Sequence, residues 1–425
     1  MKGFFSSAAL TTSVALPLVP QCGSCGLYKT CQSPKMPVTG KGRKKILVLA
    51  EGPGKDEDSQ GIQLCGASGQ HLEKALAKFG IDMRRDCWLS NSIICRATNA
   101  AGSNRAPTEK EIGFCRPNLT KALQELRPRT IICLGECAVQ SLIQPIFDDG
   151  GGYAIGRWAG WDIPCQKLNA WVCPTWHPAY LLREASPTLQ LLWEGHLRKA
   201  ADHAFGSTDP VLGDIKNLVD EACGEDGRPW KEPPDWPKSV DIILGDKEAA
   251  ERIMLMTEVN DGALAFDYES TSLKPDSKDV GIFCCSISDG KKAIAYPWQG
   301  KAIRATESFL RSNVPKIGAN VKFESRWTMA KLKIRVRNWW WDTMIAAHIL
   351  DCRSGITGLK MQAYCNLGQG TYNSRVDSFL KAEGSNSRNR IGQADLNDVL
   401  RYCGLDSLLE YKLAMKQRKQ MGYGD

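Results

Sequence analysis

No run of apolar residues in this chain approaches the roughly 18 that a helix needs to cross a bilayer, and no segment repeats another. A membrane-spanning helix is therefore not expected, and the two halves of the chain are read as different folds. Charge of one sign is also in short supply: the net +8 favours a polyanionic partner but is too small an excess to identify one. Residues Met1 to Pro20 imitate a secretory leader with Lys2 followed by Phe4, Phe5, Ala8, Ala9 and Leu10. Thr11, Thr12 and Ser13 interrupt the apolar stretch, and the segment is read as an ordinary packed or frayed N-terminus. The pattern of a disulfide-stapled secreted domain is missing as well. The seventeen cysteines are odd in number and scattered through apolar runs such as Ile131-Ile132-Cys133-Leu134. The expectation is a reducing cytoplasm, with some cysteines binding metal.

What is present is enough apolar sequence for more than one core: 425 residues, 43% hydrophobic and 24% charged, suggest two domains. Ile46-Leu47-Val48-Leu49-Ala50 reads as a fully buried strand, followed by the Gly-rich turn Glu51-Gly52-Pro53-Gly54. Beyond it, His71 to Phe79 has helical spacing, Cys87 to Ile94 reads as a strand, Thr108 to Leu126 as a helix and Thr130 to Leu134 as a strand. That alternation predicts an α/β fold with a parallel sheet. Around residues 206–238 the sequence turns irregular, with Gly224 to Pro229 and Pro233-Pro234 marking an exposed connection. The expected domains are therefore 1–205 and 239–425. In the second, Ala263 to Tyr268 and Val280 to Ser288 read as paired strands, and Thr343 to Leu350 and Asp395 to Gln417 as helices.

Cys22 and Cys25 form a C-x-x-C, and Cys95 and Cys115 can complete a four-thiolate site. Chemistry alone allows zinc or an iron-sulfur cluster there. Cys31 is the nearest competing ligand, and the remaining cysteines, Cys133 and Cys137 among them, are read as small buried hydrophobes.

The motifs of the first half come in a specific order. They are Glu51-Gly52-Pro53-Gly54 with Glu57-Asp58, Gly66-Ala67-Ser68-Gly69-Gln70-His71-Leu72, Asn91 to Arg96, Asn104-Arg105-Ala106-Pro107, Leu134-Gly135, and His177 to Leu182. Over about residues 20 to 205 this series resembles the family-4 uracil-DNA glycosylases. The resemblance implies a [4Fe-4S] cluster on Cys22, Cys25, Cys95 and Cys115. It also implies that Asn91 reads the uracil edge, that His177 donates toward uracil O2 and that Glu51 positions water or stabilises the cationic sugar. Pro178 to Leu182 would then form the loop that presses into the minor groove. One residue departs from the family: Leu64 stands where the family carries an aromatic side chain that stacks on uracil, which is expected to weaken excision.

In the second half, alternation along the strand ending in Asp267-Tyr268-Glu269 puts both carboxylates on one face. Asn320-Val321-Lys322-Phe323-Glu324 follows, then Tyr402-Cys403-Gly404-Leu405-Asp406, whose four-residue offset sets Tyr402 and Asp406 on one helix face. This order resembles the three motifs of the DEDD 3′-5′ exonucleases, tyrosine subclass, as in the ribonuclease H-like proofreading domain of family-A DNA polymerases. It implies two Mg²⁺ or Mn²⁺ ions held by Asp267, Glu269, Asp406 and Glu324, with Glu324 in place of the usual Asp, and water oriented by Tyr402. Trp341-Asp342-Thr343-Met344 and Leu359-Lys360-Met361-Gln362 also match that pattern, although Asp342 need be no more than a helix N-cap. Trp339, Trp340 and Trp341 are read as an aromatic run entering a helix, serving core and interface rather than DNA.

The expected protein is a bifunctional DNA-processing enzyme of phage-type replication or repair, and no membrane partner is expected. Its substrates would be uracil-containing DNA and single-stranded or frayed 3′ ends. The alternative makes the first half a non-cleaving uracil sensor or DNA-docking module that serves the exonuclease. Such exonuclease domains usually precede a polymerase, and only nineteen residues follow Asp406, so a polymerase is expected as a separate chain unless this one is a fragment.

Overall fold

The computed structural model describes residues 19–205, 226–259, 261–384 and 387–423. The leader-like stretch up to residue 18 and residues 206–225 of the expected connection lie outside the described residues. The chain forms two units, residues 1–233 with 364–370 and residues 234–363 with 371–425. No helix among the described residues is long and apolar enough to cross a membrane.

The first unit is built on five strands: β1 (Ile46–Ala50), β2 (Cys87–Asn91), β3 (Thr130–Leu134), β4 (Ile163–Cys165) and β5 (Ala170–Thr175). Their order is β2-β1-β3-β5-β4, parallel throughout except for β4, which pairs antiparallel with β5 at the edge. Every residue of β1 and β3 is buried, as the uninterrupted apolar runs require of parallel strands covered on both faces. The strand expected over Cys87 to Ile94 stops at Asn91. There the chain folds back so that the Ser92 and Ile93 amides donate to the Ala50 and Glu51 carbonyls at 2.8 and 3.2 Å. Ile93 is thus buried in a loop that carries the end of β2 to the mouth of β1. The helix expected from His71 begins earlier, as Ala67–Ala77, because Gly66 takes the N-cap. Helix Glu109–Leu126 starts where its sequence predicts, with Thr108 and Glu111 forming a reciprocal capping box.

Part of the expected exposed connection is packed instead. Asn169 Nδ2 donates to the Trp230 carbonyl at 3.0 Å, the Trp230 indole N–H donates to the Pro164 carbonyl at 2.7 Å, and Arg228 donates to the Arg127 and Asn169 carbonyls. An indole in the segment supplies the apolar area and the donor that a solvated linker lacks.

The second unit has a mixed six-stranded sheet. Its strands are β6 (Val240–Ile242), β7 (Leu264–Ser270), β8 (Ile282–Ser288), β9 (Ala293–Pro297), β10 (Lys316–Gly318) and β11 (Trp339–Asp342), in the order β11-β10-β7-β8-β9-β6. β7, β8 and β9 pair antiparallel, while β10 and β11 join β7 in parallel. Helix Leu396–Gln420, N-capped by Asp395, lies across β7, β8 and β9. The tryptophan run is a strand rather than the entry to a helix. Trp339 stacks on Phe266 at 5.3 Å between ring centres, while Trp340 and Trp341 pack near Ala263, Ala265 and Ile317. Helix Thr343–Leu350 begins only after Asp342, whose side chain caps it.

Two candidate active sites

In the first unit three loops converge at the carboxyl ends of parallel strands, the favoured ligand position in open α/β sheets. Glu51 follows β1, Asn91 ends β2 in register with Ala50, and His177 lies two residues beyond β5. All three line one cavity of about 520 Å³, together with Leu64, Arg105 and Arg183. Asp58, from the same motif as Glu51, is not among its walls; its carboxylate accepts the Ser33 amide at 2.9 Å.

His177 N-caps helix Pro178–Glu184, its Nδ1 accepting the Ala179 amide at 3.2 Å. An Nδ1 that accepts leaves the ring proton on Nε2. Burial and then the nearby Arg183 charge lower the His177 pKa to about 4, so the ring stays neutral at pH 7. Burial raises the pKa of Glu51 despite a bond from the Cys137 thiol, which donates to its Oε2 at 3.5 Å. The Cys137 thiol is itself pushed up to about 12 by burial and by the Glu51 charge, so it stays a donor. Asn91 is buried and its amide nitrogen has no hydrogen-bond partner, so a donor is available to a ligand at the strand end.

Leu64 is buried in the wall of the cavity with a left-handed backbone, φ 51°. Arg84 holds it there, donating to the Gln63 and Leu64 carbonyls at 2.7 and 2.6 Å. Gly69 permits the approach, since a Cβ on it would sit 1.8 Å from the Leu64 carbonyl oxygen.

Cys22 and Cys25 occupy a one-turn helix, Cys95 lies beyond β2, and Cys115 sits within Glu109–Leu126. All four line one small concavity with Leu27, Tyr28, Ile93, Ile94 and Phe114. Backbone amides already point at two of the sulfurs, Lys35 N–H to Cys95 at 3.2 Å and Ile94 N–H to Cys115 at 3.4 Å. Burial raises the pKa of Cys25, Cys115 and Cys95, the last to about 12, so a cation is needed to turn them into thiolates. Cys31 touches Cys95 but is not a wall of the concavity.

In the second unit β7 delivers Asp267 and Glu269, and the long C-terminal helix delivers Asp406. Carboxylate oxygens of these three lie within 4.8 Å of one another. Burial and the charge of Asp406 hold Asp267 well above the usual carboxylate range. Burial and Asp267 do the same to Glu269, and burial also raises Asp406. Three carboxylates at this spacing cannot all ionise without a cation. Glu324 is outside that group. It is buried on helix Val321–Leu332, close enough to Asp267 for their charges to interact, and its Oε2 has no partner.

Tyr372, which the sequence did not single out, and Lys360, from the Leu359-Lys360-Met361-Gln362 match, complete this cluster. The Tyr372 hydroxyl donates to Asp406 Oδ1, and Tyr402 also hydrogen-bonds Asp406, the two rings lying 5.8 Å apart. Lys360 sets its ammonium 5.0 Å from the Tyr402 ring centre and eases the ionisation of Asp267, Glu269 and Asp406. Asp342 accepts the amides of Met344 and Ile345 as an N-cap, and those of Asn320 and Val321 as well, so it fixes the start of the helix that carries Glu324. In the first site, Cys137 and Arg183 were likewise not singled out. Arg183 follows directly on a recognised motif, whereas Cys137 meets Glu51 only across 86 residues of chain.

Residues 37–196 match the uracil DNA glycosylase superfamily. The type-4 uracil-DNA glycosylase of Archaeoglobus fulgidus is 31% identical over 205 residues, which cover 46% of this chain and 94% of that protein. The chain belongs to the type-4 uracil-DNA glycosylase family. A Thermotoga maritima member is 32% identical over 43% of this chain and 88% of its own length. To this glycosylase domain is joined a 3′-5′ exonuclease domain of the DNA polymerase A type, matched over residues 240–421. A DNA polymerase of Bacillus phage SP01 is 24% identical over 365 residues, 80% of this chain and 36% of that protein. That alignment is longer than either domain and so runs through both. The chain is a glycosylase and a nuclease in tandem, with DNA as the substrate of each.

Proposed function

We propose that the two domains, taken as 1–205 and 239–425 with a connection between, remove uracil from DNA and trim 3′ ends through the residues described above. Uracil flipped from the stack enters the 520 Å³ cavity. The unpartnered amide of Asn91 reads its pyrimidine edge, since one amide both donates and accepts. Neutral His177 donates its Nε2 proton as a hydrogen bond to O2 while negative charge grows on the departing base. Glu51, its charge eased by Cys137 and Arg183, orients the attacking water or faces the cationic sugar. The expected minor-groove loop, Pro178 to Leu182, is the start of helix Pro178–Glu184 instead, and its Ala179 and Tyr180, which line the cavity, would face the minor groove.

Cys22, Cys25, Cys95 and Cys115 would hold the [4Fe-4S] cluster, which supplies a cross-link between the N-terminal turn, the end of β2 and helix Glu109–Leu126. Four thiolates suit either zinc or an iron-sulfur cluster, and the kinship with the type-4 uracil-DNA glycosylases favours the cluster.

The observation that carries the exonuclease reading is the convergence of Asp267, Glu269 and Asp406 oxygens within 4.8 Å. Such hard oxygen donors suit Mg²⁺ or Mn²⁺, with Glu324 beside them. Bound metals supply an activated water and stabilise the leaving oxygen of the phosphodiester. Tyr402 orients the water, Tyr372 fixes the Asp406 carboxylate, and Lys360 offsets the cluster's charge. The test is 5′-labelled single-stranded DNA with Mg²⁺. Shortening from the 3′ end should vanish with EDTA and in Asp267→Ala or Asp406→Ala, and slow in Tyr402→Phe without loss of metal binding. Full activity in Asp267→Ala would sink the assignment.

Leu64 supports a second reading, in which the glycosylase domain recognises uracil without releasing it. In either case the relationship to the phage polymerase suggests work beside a polymerase in the cytoplasm of a phage host.

A further inference from the structure

Strand β5 turns Trp171, Cys173 and Thr175 to one face, which helix Pro187–Phe205 covers. Along that helix His196, Lys199 and His203 follow at intervals of three and four residues and so form one stripe. The Thr175 hydroxyl lies 3.0 Å from His196 Nδ1, and the Trp171 ring stacks on His203 with centres 3.9 Å apart. Cys173 stands between these two pairs. β4 pairs antiparallel with β5 so that Ile163 faces Val172, which brings Asp162, the residue before β4, opposite Cys173.

The result is a mixed set of donors. A carboxylate oxygen of Asp162, the sulfur of Cys173 and a ring nitrogen of His203 lie within 4.8 Å of one another. Cys173 is buried, while the side chains of Asp162 and His203 are 24% and 23% exposed, enough for water to reach the group. None of the three lines the cavity of the first site or the concavity of the four thiols. His203 Nε2 is buried and makes no hydrogen bond, and Asp162 Oδ2 is 3.8 Å from it, too far for one. Zinc bonds of about 2.0–2.3 Å set neighbouring ligand atoms of a tetrahedral site roughly 3.5 Å apart, so that separation suits a shared ion. Lys199 sets its Nζ 4.0 Å from the same Asp162 oxygen, and its half-exposed ammonium can turn to water when another cation takes its place.

We propose that Asp162, Cys173 and His203 bind one divalent transition ion of the zinc type, which fastens the last turn of helix Pro187–Phe205 to the edge of the sheet and keeps a fourth position for water. Imidazole and thiolate select such an ion over Mg²⁺, and the Cys173 proton passes to solvent as the sulfur binds. Burial and then the Asp162 charge hold that thiol well above its usual pKa, so the sulfur stays protonated until the ion arrives.

The test is zinc binding to the full chain, with the iron-sulfur cluster in place and Mg²⁺ present to occupy the acidic centre of the second unit. Calorimetry gives the affinity, and X-ray absorption at the zinc edge gives the ligands. One ion per chain is expected, with one sulfur and two or three nitrogen or oxygen neighbours. His203→Ala should weaken binding at least tenfold, and zinc should raise the melting temperature of wild type but not of that variant. If circular dichroism finds His203→Ala unfolded, Asp162→Asn is read in its place, with the same loss expected. Zinc held by four sulfurs would put it on Cys22, Cys25, Cys95 and Cys115, and zinc held by none would put it on carboxylates. Either result, no binding at all, or wild-type affinity in the folded variant overturns the inference.

Discussion

Because Nδ1 of His177 accepts the Ala179 amide, its ring presents a proton on Nε2, and its pKa of about 4 keeps it from becoming a cation at neutral pH. The pH profile of uracil release should therefore show no break near 6.5. Its acid limb should come from Glu51, whose raised pKa moves loss of the working carboxylate to a higher pH than an ordinary Glu would give. Single-turnover release measured from pH 5 to 8 checks this, and a break at 6.5 would mean that His177 titrates normally. His177→Ala should lose about 10²- to 10³-fold, and Leu64→Phe should gain roughly tenfold by restoring a stacking face. Glu51, Asn91 and His177 were legible because each sits in a short motif at a strand end. Cys137 and Tyr372 were not, because local spacing carries no trace of contacts such as Tyr372 with Asp406, which join residues 34 apart.

Helix Glu109–Leu126 carries Cys115, and its first turn is secured by Thr108 and by Glu111, which also pairs with Arg105 at 2.6 Å. The Arg105 hydrogen bonds lower the Glu111 pKa to about 2. A folded-state pKa below the unfolded one gives stability that is full above the unfolded value near 4.5. It is lost as pH falls toward 2. Thr108→Ala should cost about 1 kcal/mol, lowering the melting temperature of the first unit by a few degrees, read by far-ultraviolet circular dichroism. An unchanged melt would show that the cap does not limit this helix. Among the elements, long apolar runs were read correctly as β1 and β3. The end of β2 and the nature of Trp339 to Trp341 were not, since backbone bonds from Ser92 and Ile93 and stacking on Phe266 are tertiary decisions.

At the scale of the whole molecule, two unrelated sheets in one chain carry base removal and end trimming. The central claim is that the chain does both through separate sites, and one oligonucleotide measures it. A 5′-labelled single strand with one internal uracil, incubated in EDTA, should give only an alkali-labile abasic site. With Mg²⁺ it should also give a ladder descending from the 3′ end. His177→Ala should lose the first signal and keep the second, and Asp267→Ala should do the reverse. Shortening from the 5′ end, or loss of both signals in either folded variant, would contradict the account.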